Sequence, residues 1–281
     1  MAKKNKSKQS AEALFGALGI PPKPAGKGIT RYVRFRRKGG KASWGVLKNG
    51  SVQRIKGDPF GKYHAAGDPV DLEKIELLAP AEPRKIFAVG LNYKSHLGER
   101  AAPTRPEIFY KPVTCLQNPT GEIRIPETSQ NLHYEGELVL VIGKTCSKAT
   151  REEAAQAIFG VTCGNDVSER DWQRGPDKDV QWWRAKGSDT FGPCGPVLVR
   201  GIDYGNLRLQ TRMNGETVQE QSTGDLLFDP ATIVSEISRF VTLDAGDLIF
   251  TGTPGSTRKM SPGDLIEVEI EGIGVLRNPV A

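Results

Sequence analysis

Two glutamates separated by one residue, Glu135 and Glu137, stand near the start of LHYEGELVLVIG (Leu132–Gly143), in which every residue from Leu138 to Ile142 is apolar. A continuous apolar run of that kind is typical of a strand covered on both faces. Alternation along an extended chain sends side chains 135 and 137 to one face, with their Cα atoms about 6–7 Å apart. That face continues with Val139 and Val141, so the carboxylates sit at the edge of a dry region, where they repel and lose hydration. A salt bridge or a hard divalent cation can hold them there, and oxygen donors are what Mg2+ or Ca2+ takes. A third anion, Asp166, ends the apolar segment FGVTCGN just before the polar turn DVSERDWQ. Taken alone, Asp166 reads as a helix cap; together with the two glutamates it becomes a candidate ligand. The strand LIEVEIEG offers a contrast. There Glu267, Glu269 and Glu271 alternate with Ile266, Val268 and Ile270, the pattern of an ordinary surface strand whose glutamates need only water.

The elements that must position these groups belong to a chain of 281 residues, long enough for one large domain or a large domain with a small one. The formal charge of +6 is uneven: residues 1–28 carry six lysines against Glu12 alone, and the remainder holds 33 basic and 32 acidic side chains. A basic tail on a nearly neutral body reads as a solubilising, disordered extension rather than a nucleic-acid surface. No apolar run approaches the ~20 residues of a membrane span. The cysteines, Cys115, Cys146, Cys163 and Cys194, are widely spaced without a CxxC, which argues for reduced thiols in a cytoplasmic protein.

After the tail, TRYVRFRRKGGKASWGVLKNGSVQRIKG alternates apolar and polar residues around Gly39-Gly40 and Asn49-Gly50, the signature of a small antiparallel meander. Its arginines, Arg31, Arg34, Arg36 and Arg37, read as the solvated face of that sheet. Prolines 80 and 83 mark a boundary, giving a tail over 1–29, a small β domain over 30–79 and a catalytic domain over 80–281. A capping box at Thr150–Glu153 opens a helix over 151–158, and Asp229-Pro230 opens another with Ile233, Ile237 and Phe240 on one face. Strands outnumber helices, hairpin turns abound and no βαβ repeat is present. The expected class is mainly β with a few helices, an α+β roll or sandwich.

Beyond this point the residues match a known pattern. Glu135-x-Glu137, NDVSERDWQ, RAKGSDTFGPCGPVL, LIFTGTPG and PGDLIEVEIEGIGVLRN, with GLNYKSHLGE and FYKP before them, resemble the fumarylacetoacetate hydrolase superfamily over about residues 30–280. The resemblance implies a β-roll catalytic domain behind a small N-terminal β domain, a homodimer, and Mg2+ or Mn2+ on Glu135, Glu137 and Asp166. His96 and Glu99 resemble a water-activating dyad on a mobile lid, as suits an imidazole near neutral pKa oriented by a carboxylate. Lys186 resembles the group that stabilises developing negative charge, against a simpler reading as a bridge to Asp189. Arg170 and Gln173 resemble polar groups around the substrate carboxylate, and Thr253 a residue that contacts substrate opposite the metal. His133, where members often have aspartate, is at most a neighbour of the site. The chain departs from the pattern after TGTP, where Gly255-Ser256-Thr257-Arg258-Lys259 is shorter than the family's usual loop.

The implied chemistry is metal-assisted work on a small-molecule 2-oxo acid through an enolate. With His96 and Glu99 both present, the expected reaction is C–C hydrolysis of an acylpyruvate or fumarylpyruvate-like substrate. The alternative is isomerase, tautomerase or decarboxylase chemistry on a 2-hydroxyhepta-2,4-diene-1,7-dioate or oxaloacetate-like dioate. A non-enzymatic metal-binding β module with a basic interaction tail is the reading from another class. Neither a nucleic acid nor a membrane is an expected partner.

Overall fold

The meander of the sequence forms as Thr30–Arg36, Ser43–Lys48 and Ser51–Gly57, paired antiparallel in chain order. The computed structural model describes residues 18–20, 26, 28–48 and 50–281. Most of the basic tail therefore lies outside the described residues, as does Asn49 of the second turn. The apolar end of that tail is packed: Leu18 and Ile20 are buried, and the Val275 N–H donates to Leu18 O at 2.6 Å.

The meander joins the rest of the chain in a single thirteen-stranded sheet, because Thr30–Arg36 pairs antiparallel with Gly192–Arg200. From there the order continues through Ile158–Asn165, Gly136–Ile142, Leu248–Phe250, Ile86–Gly90 and Glu107–Lys111. One pairing in this run, Leu248–Phe250 with Ile86–Gly90, is parallel. A four-stranded antiparallel sheet, ordered Glu216–Ser222, Arg208–Met213, Leu265–Ile270 and Gly274–Pro279, packs against the central strands. Four short helices complete a mainly β architecture among the described residues, the class expected from the hairpin-rich sequence.

The strand Gly136–Ile142 is buried throughout. Leu138, Leu140 and Ile142 point into one apolar cluster with Leu209, Val268 and Ile233, while Val139 and Val141 point into another with Phe250, Phe191 and Leu198. Both faces are covered, as the uninterrupted apolar run requires. The strand is shorter than the sequence suggests. Leu132–His133 pairs separately with Ser168–Glu169, and Glu135 lies in the break between the two. There its N–H donates to Asn165 Oδ1 at 2.8 Å and its carbonyl accepts the Asp166 N–H at 2.8 Å. Gly136 is required at this point, since a Cβ would lie 2.0 Å from Thr211 Oγ1 in the second sheet.

The capping box forms at Thr150, and the helix Arg151–Ala157 packs on Pro230–Ser238, which Asp229 caps through the Thr232 N–H at 2.8 Å. Ile233 and Ile237 are buried, but the helix ends at Ser238 and leaves Phe240 76% exposed. The arginines of the meander are also less solvated than their alternation suggests. Arg31 is buried, Arg34 pairs with Glu82, and Arg36 holds Glu76 at 2.6 and 2.7 Å.

The contrast strand needs a correction too. Ile266, Val268 and Ile270 face the core as expected, yet Glu267 is only 6% exposed. It is held between Arg277 on one neighbouring strand and Arg212 on the other, the latter at 3.2 Å. Cross-strand arginines are invisible to the period of a single strand. Burial pushes the Glu267 carboxyl up, but Arg277 and Arg212 outweigh it and hold the pKa below the ordinary glutamate value. A carboxylate with a depressed pKa contributes stability above its unfolded pKa and loses it as pH falls through the folded one. Glu267→Gln is expected to lower stability at pH 7 by about 1–2 kcal/mol, and the gap from the parent should close below about pH 4. Exposed Glu271→Gln should stay within about 0.5 kcal/mol. Urea titrations of both variants at pH 7 and pH 3.5 check this, and equal losses in the two would contradict it.

Candidate metal and substrate site

Strand register brings the three acids together. Gly136 lies opposite Asn165 and Glu137 opposite Gly164, so Asp166, one residue beyond the paired segment, arrives beside Glu135. All three side chains are buried, and carboxylate oxygens from the three lie within 4.8 Å of one another. A dication with oxygen ligands at roughly 2.0–2.6 Å holds its donors within about 4–5 Å of each other, so the donor set fits a hard divalent ion.

The cations around the acids are distributed unequally. Lys186 Nζ donates to Glu135 Oε2 at 2.6 Å and to Asp166 Oδ2 at 2.7 Å, not to Asp189. Arg170 Nη2 donates to the other Glu135 oxygen at 2.6 Å, and its Nη1 donates to Gln173 Oε1 at 2.8 Å. Lys111 Nζ donates to Asp166 Oδ1 at 2.6 Å, to Phe191 O at 3.1 Å and to Lys186 O. Glu137 receives a single backbone donor, the Gly252 N–H at 2.7 Å, presented by a glycine at φ +105°. The titration follows this distribution. Burial raises Glu135, but Lys186 and Arg170 more than reverse it and hold the carboxyl far below the ordinary range. Burial, then Asp166 and Glu135, push Glu137 well above it. Salt bridges thus satisfy Glu135 and Asp166, while Glu137 has no cation of its own and its ionised form is disfavoured until a dication compensates it.

His96 ends the turn Lys94–His96 and stands beside the acids. Its Nδ1 meets the Gly255 carbonyl at 2.5 Å and its Nε2 stands 3.9 Å from Glu135 Oε1. A carbonyl only accepts, so Nδ1 carries the hydrogen and Nε2 keeps its lone pair. Burial lowers the His96 pKa despite Glu135, which leaves the ring neutral at pH 7. Glu99 does not reach it: the side chain is exposed and makes no ion pair or hydrogen bond among the described residues. Thr253 lines the cavity, its hydroxyl donating to Gly136 O at 2.9 Å and accepting from Gln219 Nε2 at 2.9 Å.

The short segment after Pro254 supplies a further link. Thr257 Oγ1 accepts from Arg170 Nη2 at 2.8 Å and meets His133 Nδ1 at 2.9 Å, and His133 Nε2 meets Asn131 Oδ1 at 2.8 Å. Burial and the nearby Arg170 push the His133 pKa down to about 4, so this ring too is neutral at pH 7. Lys111, Gln219 and Thr257 are site residues that sequence reasoning missed. Lys111 alone carried a signal, as the one charge closing the partly apolar strand Glu107–Lys111. A cavity of about 190 Å3 opens over the site, lined by His96, Glu135, Gln173, Lys186 and Thr253 together with Phe109, Trp182, Arg100 and Arg174.

Residues 85–281 match the family profile described as fumarylacetoacetate (FAA) hydrolase C-terminal, and residues 30–80 one described as Rv2993c-like, N-terminal. The chain is 40% identical over 219 residues to oxaloacetate tautomerase fahd2, mitochondrial, of Xenopus laevis, covering 73% of this chain and 68% of that one. It is 33% identical over 276 residues to 2,4-didehydro-3-deoxy-L-rhamnonate hydrolase of a Sphingomonas species, covering 89% and 96%. The crystal structure of 2-hydroxyhepta-2,4-diene-1,7-dioate isomerase from Mycobacterium marinum superposes with a TM-score of 0.83 at 37% identity, covering 90% of this chain and 98% of that one.

Glu137→Gln removes a carboxyl that is costly to ionise without a dication and keeps an acceptor for the Gly252 N–H. With EDTA present, the variant is expected to gain on the parent as pH rises through the raised Glu137 pKa, by about 2–4 °C for each kcal/mol of repulsion relieved. Mg2+ at a hundred times its Kd should stabilise the parent by about 2.7 kcal/mol and the variant far less. Scanning calorimetry of both proteins checks this; an equal response to Mg2+ would remove Glu137 from the site.

Proposed function

Because the chain belongs to the fumarylacetoacetate hydrolase family, we propose that Glu135, Glu137 and Asp166 hold Mg2+ or Mn2+ and that His96 moves the proton of keto–enol exchange in a small 2-oxo acid. The observation that carries this reading is the open Nε2 lone pair of a neutral His96 over the three acids, with Glu99 standing apart. When bound, the ion supplies Lewis-acid polarisation of the substrate's 2-keto oxygen.

The remaining work falls to side chains. In enolisation the C3–H bond next to the keto group breaks and its proton passes to His96 Nε2. The C–H electron pair becomes the C2–C3 double bond, and the keto oxygen takes the negative charge and then a proton. Lys186 has one N–H left after Glu135 and Asp166 and hydrogen-bonds that oxygen without losing its own proton, while the proton on His96 Nε2 leaves to solvent as the oxygen takes one up. Phe109 and Trp182, stacked edge to face at 5.3 Å, form an apolar wall of the cavity. In sum a proton moves from carbon to oxygen, with no oxidant and no water consumed. The names of the Xenopus tautomerase and the mycobacterial isomerase describe reactions of this kind and support the reading.

Hydrolysis of an acylpyruvate is the second reading. The Sphingomonas relative is named a hydrolase, and His96 is equally able to deprotonate water. It requires Glu99 to leave solvent and reach the ring.

The test is oxaloacetate with Mg2+ in D2O, with C3 exchange followed by NMR, beside an acylpyruvate assayed for pyruvate and all samples for CO2. Exchange well above a protein-free Mg2+ blank is expected, and His96→Ala should lower it by about 10²–10⁴-fold. Glu99→Gln should leave exchange near the parent rate. Pyruvate or CO2 release outrunning exchange would transfer the assignment to hydrolysis or decarboxylation.

A further inference from the structure

Beside the 190 Å3 cavity over the acids lies a larger groove of about 890 Å3, running along the edge strand Glu107–Lys111. Tyr110, Val113, Val180 and Trp183, all exposed, give the groove apolar walls. Among the described residues the two spaces share only Phe109 and Trp182. The two rings, edge to face with centroids 5.3 Å apart, are therefore the partition between them. Trp182 holds its place in a strained backbone. Its φ of 56° and ψ of 22° lie in the left-handed region, which bulky side chains rarely take. Such a conformation persists only where the surroundings fix it. Here the Trp182 carbonyl accepts the Lys186 N–H at 2.9 Å at the start of the helix Trp183–Gly187. The Trp182 ring lies over Gly90, where a Cβ would stand 3.8 Å from Cζ3. Phe109 meets that ring from the edge strand and lies 5.4 Å, centroid to Nζ, from the Lys186 ammonium. Trp183, the next residue, turns outward and is 66% exposed.

We infer that Trp182 sets the length of the substrate: its ring ends the space beyond C3 and keeps the chain from running on into the groove. This rests on the proposed 2-oxo acid reading, which places the reacting end of the substrate and says nothing of what bounds the other. The sizes of the two spaces give the limit its meaning. About 190 Å3 falls below the roughly 300–1,000 Å3 of pockets that enclose drug-sized ligands, whereas about 890 Å3 falls within that range. The ring pair thus separates room for a few carbons from room for many. Of its two members, Phe109 is fixed in a strand, while Trp182 stands at the entry to a short helix in a conformation that glycine adopts without strain. Trp182 is therefore the specificity-determining residue of the pair, since its ring can be removed and its backbone kept.

The experiment measures 2-oxobutanoate, 2-oxohexanoate and 2-oxooctanoate, with Mg2+, on the parent, Trp182→Gly, Trp182→Phe and Trp183→Ala. Binding is read by calorimetry and C3 exchange by NMR in D2O. The parent is expected to bind the short acid and to lose affinity as the chain lengthens. Each methylene that enters an apolar groove is worth about fourfold in affinity. Trp182→Gly should therefore raise the affinity for 2-oxooctanoate relative to 2-oxobutanoate by about ten- to hundredfold, with the short acid nearly unchanged. Trp182→Phe, a smaller ring in the same place, should give part of that gain, and Trp183→Ala should give none. A parent that binds the long acid as tightly as the short one, or an unchanged series in Trp182→Gly, would overturn the inference. So would equal losses on all three acids, and no gain in Trp182→Phe overturns it even where the glycine variant folds poorly. A length limit relieved in Trp182→Gly without C3 exchange in any protein would sink the enolisation reading and leave Trp182 in place. Exchange of 2-oxobutanoate with an unaltered length series would do the reverse, and a parent that binds none of the acids would end both.

Discussion

The structure is organised around three carboxylates kept out of water at the meeting of two strand ends. Glu135 and Asp166 share one ammonium, Lys186, at 2.6 and 2.7 Å, and each has a second cation of its own, Arg170 or Lys111. Removing one partner from such a cluster leaves a buried charge, which costs far more than the pair contributes when intact. The surrounding geometry serves that constraint. Gly136 lets the central strand meet the second sheet without a clash, and Gly252 turns its N–H toward Glu137. The antiparallel register puts Asp166 where its N–H reaches Glu135 O.

The two lysines look alike in composition and differ in what they have left to offer. Lys111 spends all three N–H donors on Asp166 and two carbonyls at zero side-chain exposure, which makes it a fixed counter-charge. Lys186 spends two and faces the cavity with the third. Under the proposed enolisation such a donor is in place before charge develops and needs no reorganisation, the main advantage a protein site holds over water. Lys111, by countering Asp166 from behind, leaves Lys186 that freedom.

Much of this was legible in the chain. The apolar run after Glu137 showed a strand covered on both faces, and the two glutamates at its start pointed to a charge problem that needed an oxygen-seeking partner. What could not be read was pairing. Glu267 looked like a solvent-facing residue because its own strand alternates perfectly, and its burial depends on Arg212 and Arg277 from neighbouring strands. Glu99 was expected beside His96 because the two resemble the family's dyad, yet the three-residue turn ends at His96 and leaves Glu99 exposed beyond it. Thr257 entered the site through tertiary approach alone, and Lys111 left only the faint signal of a charge ending a partly apolar strand. Local period and residue chemistry locate the acids; cross-strand register selects their cations.

The segment 255–259 ties together groups that stand on two sides of the three acids. Gly255 joins it to the turn Lys94–His96, accepting from His96 Nδ1 through its carbonyl and donating its N–H to Ser95 Oγ at 2.9 Å. Two residues on, Thr257 receives Arg170, the clamp on Glu135, and passes the hydrogen-bond chain to His133 and Asn131. Arg170 carries a full charge in a buried place, so each acceptor it gains narrows the positions open to it. His96 and Arg170 therefore share one short loop as their common support. A longer loop would move both together relative to the cavity, while Glu135, Glu137 and Asp166 would stay where the strand register sets them.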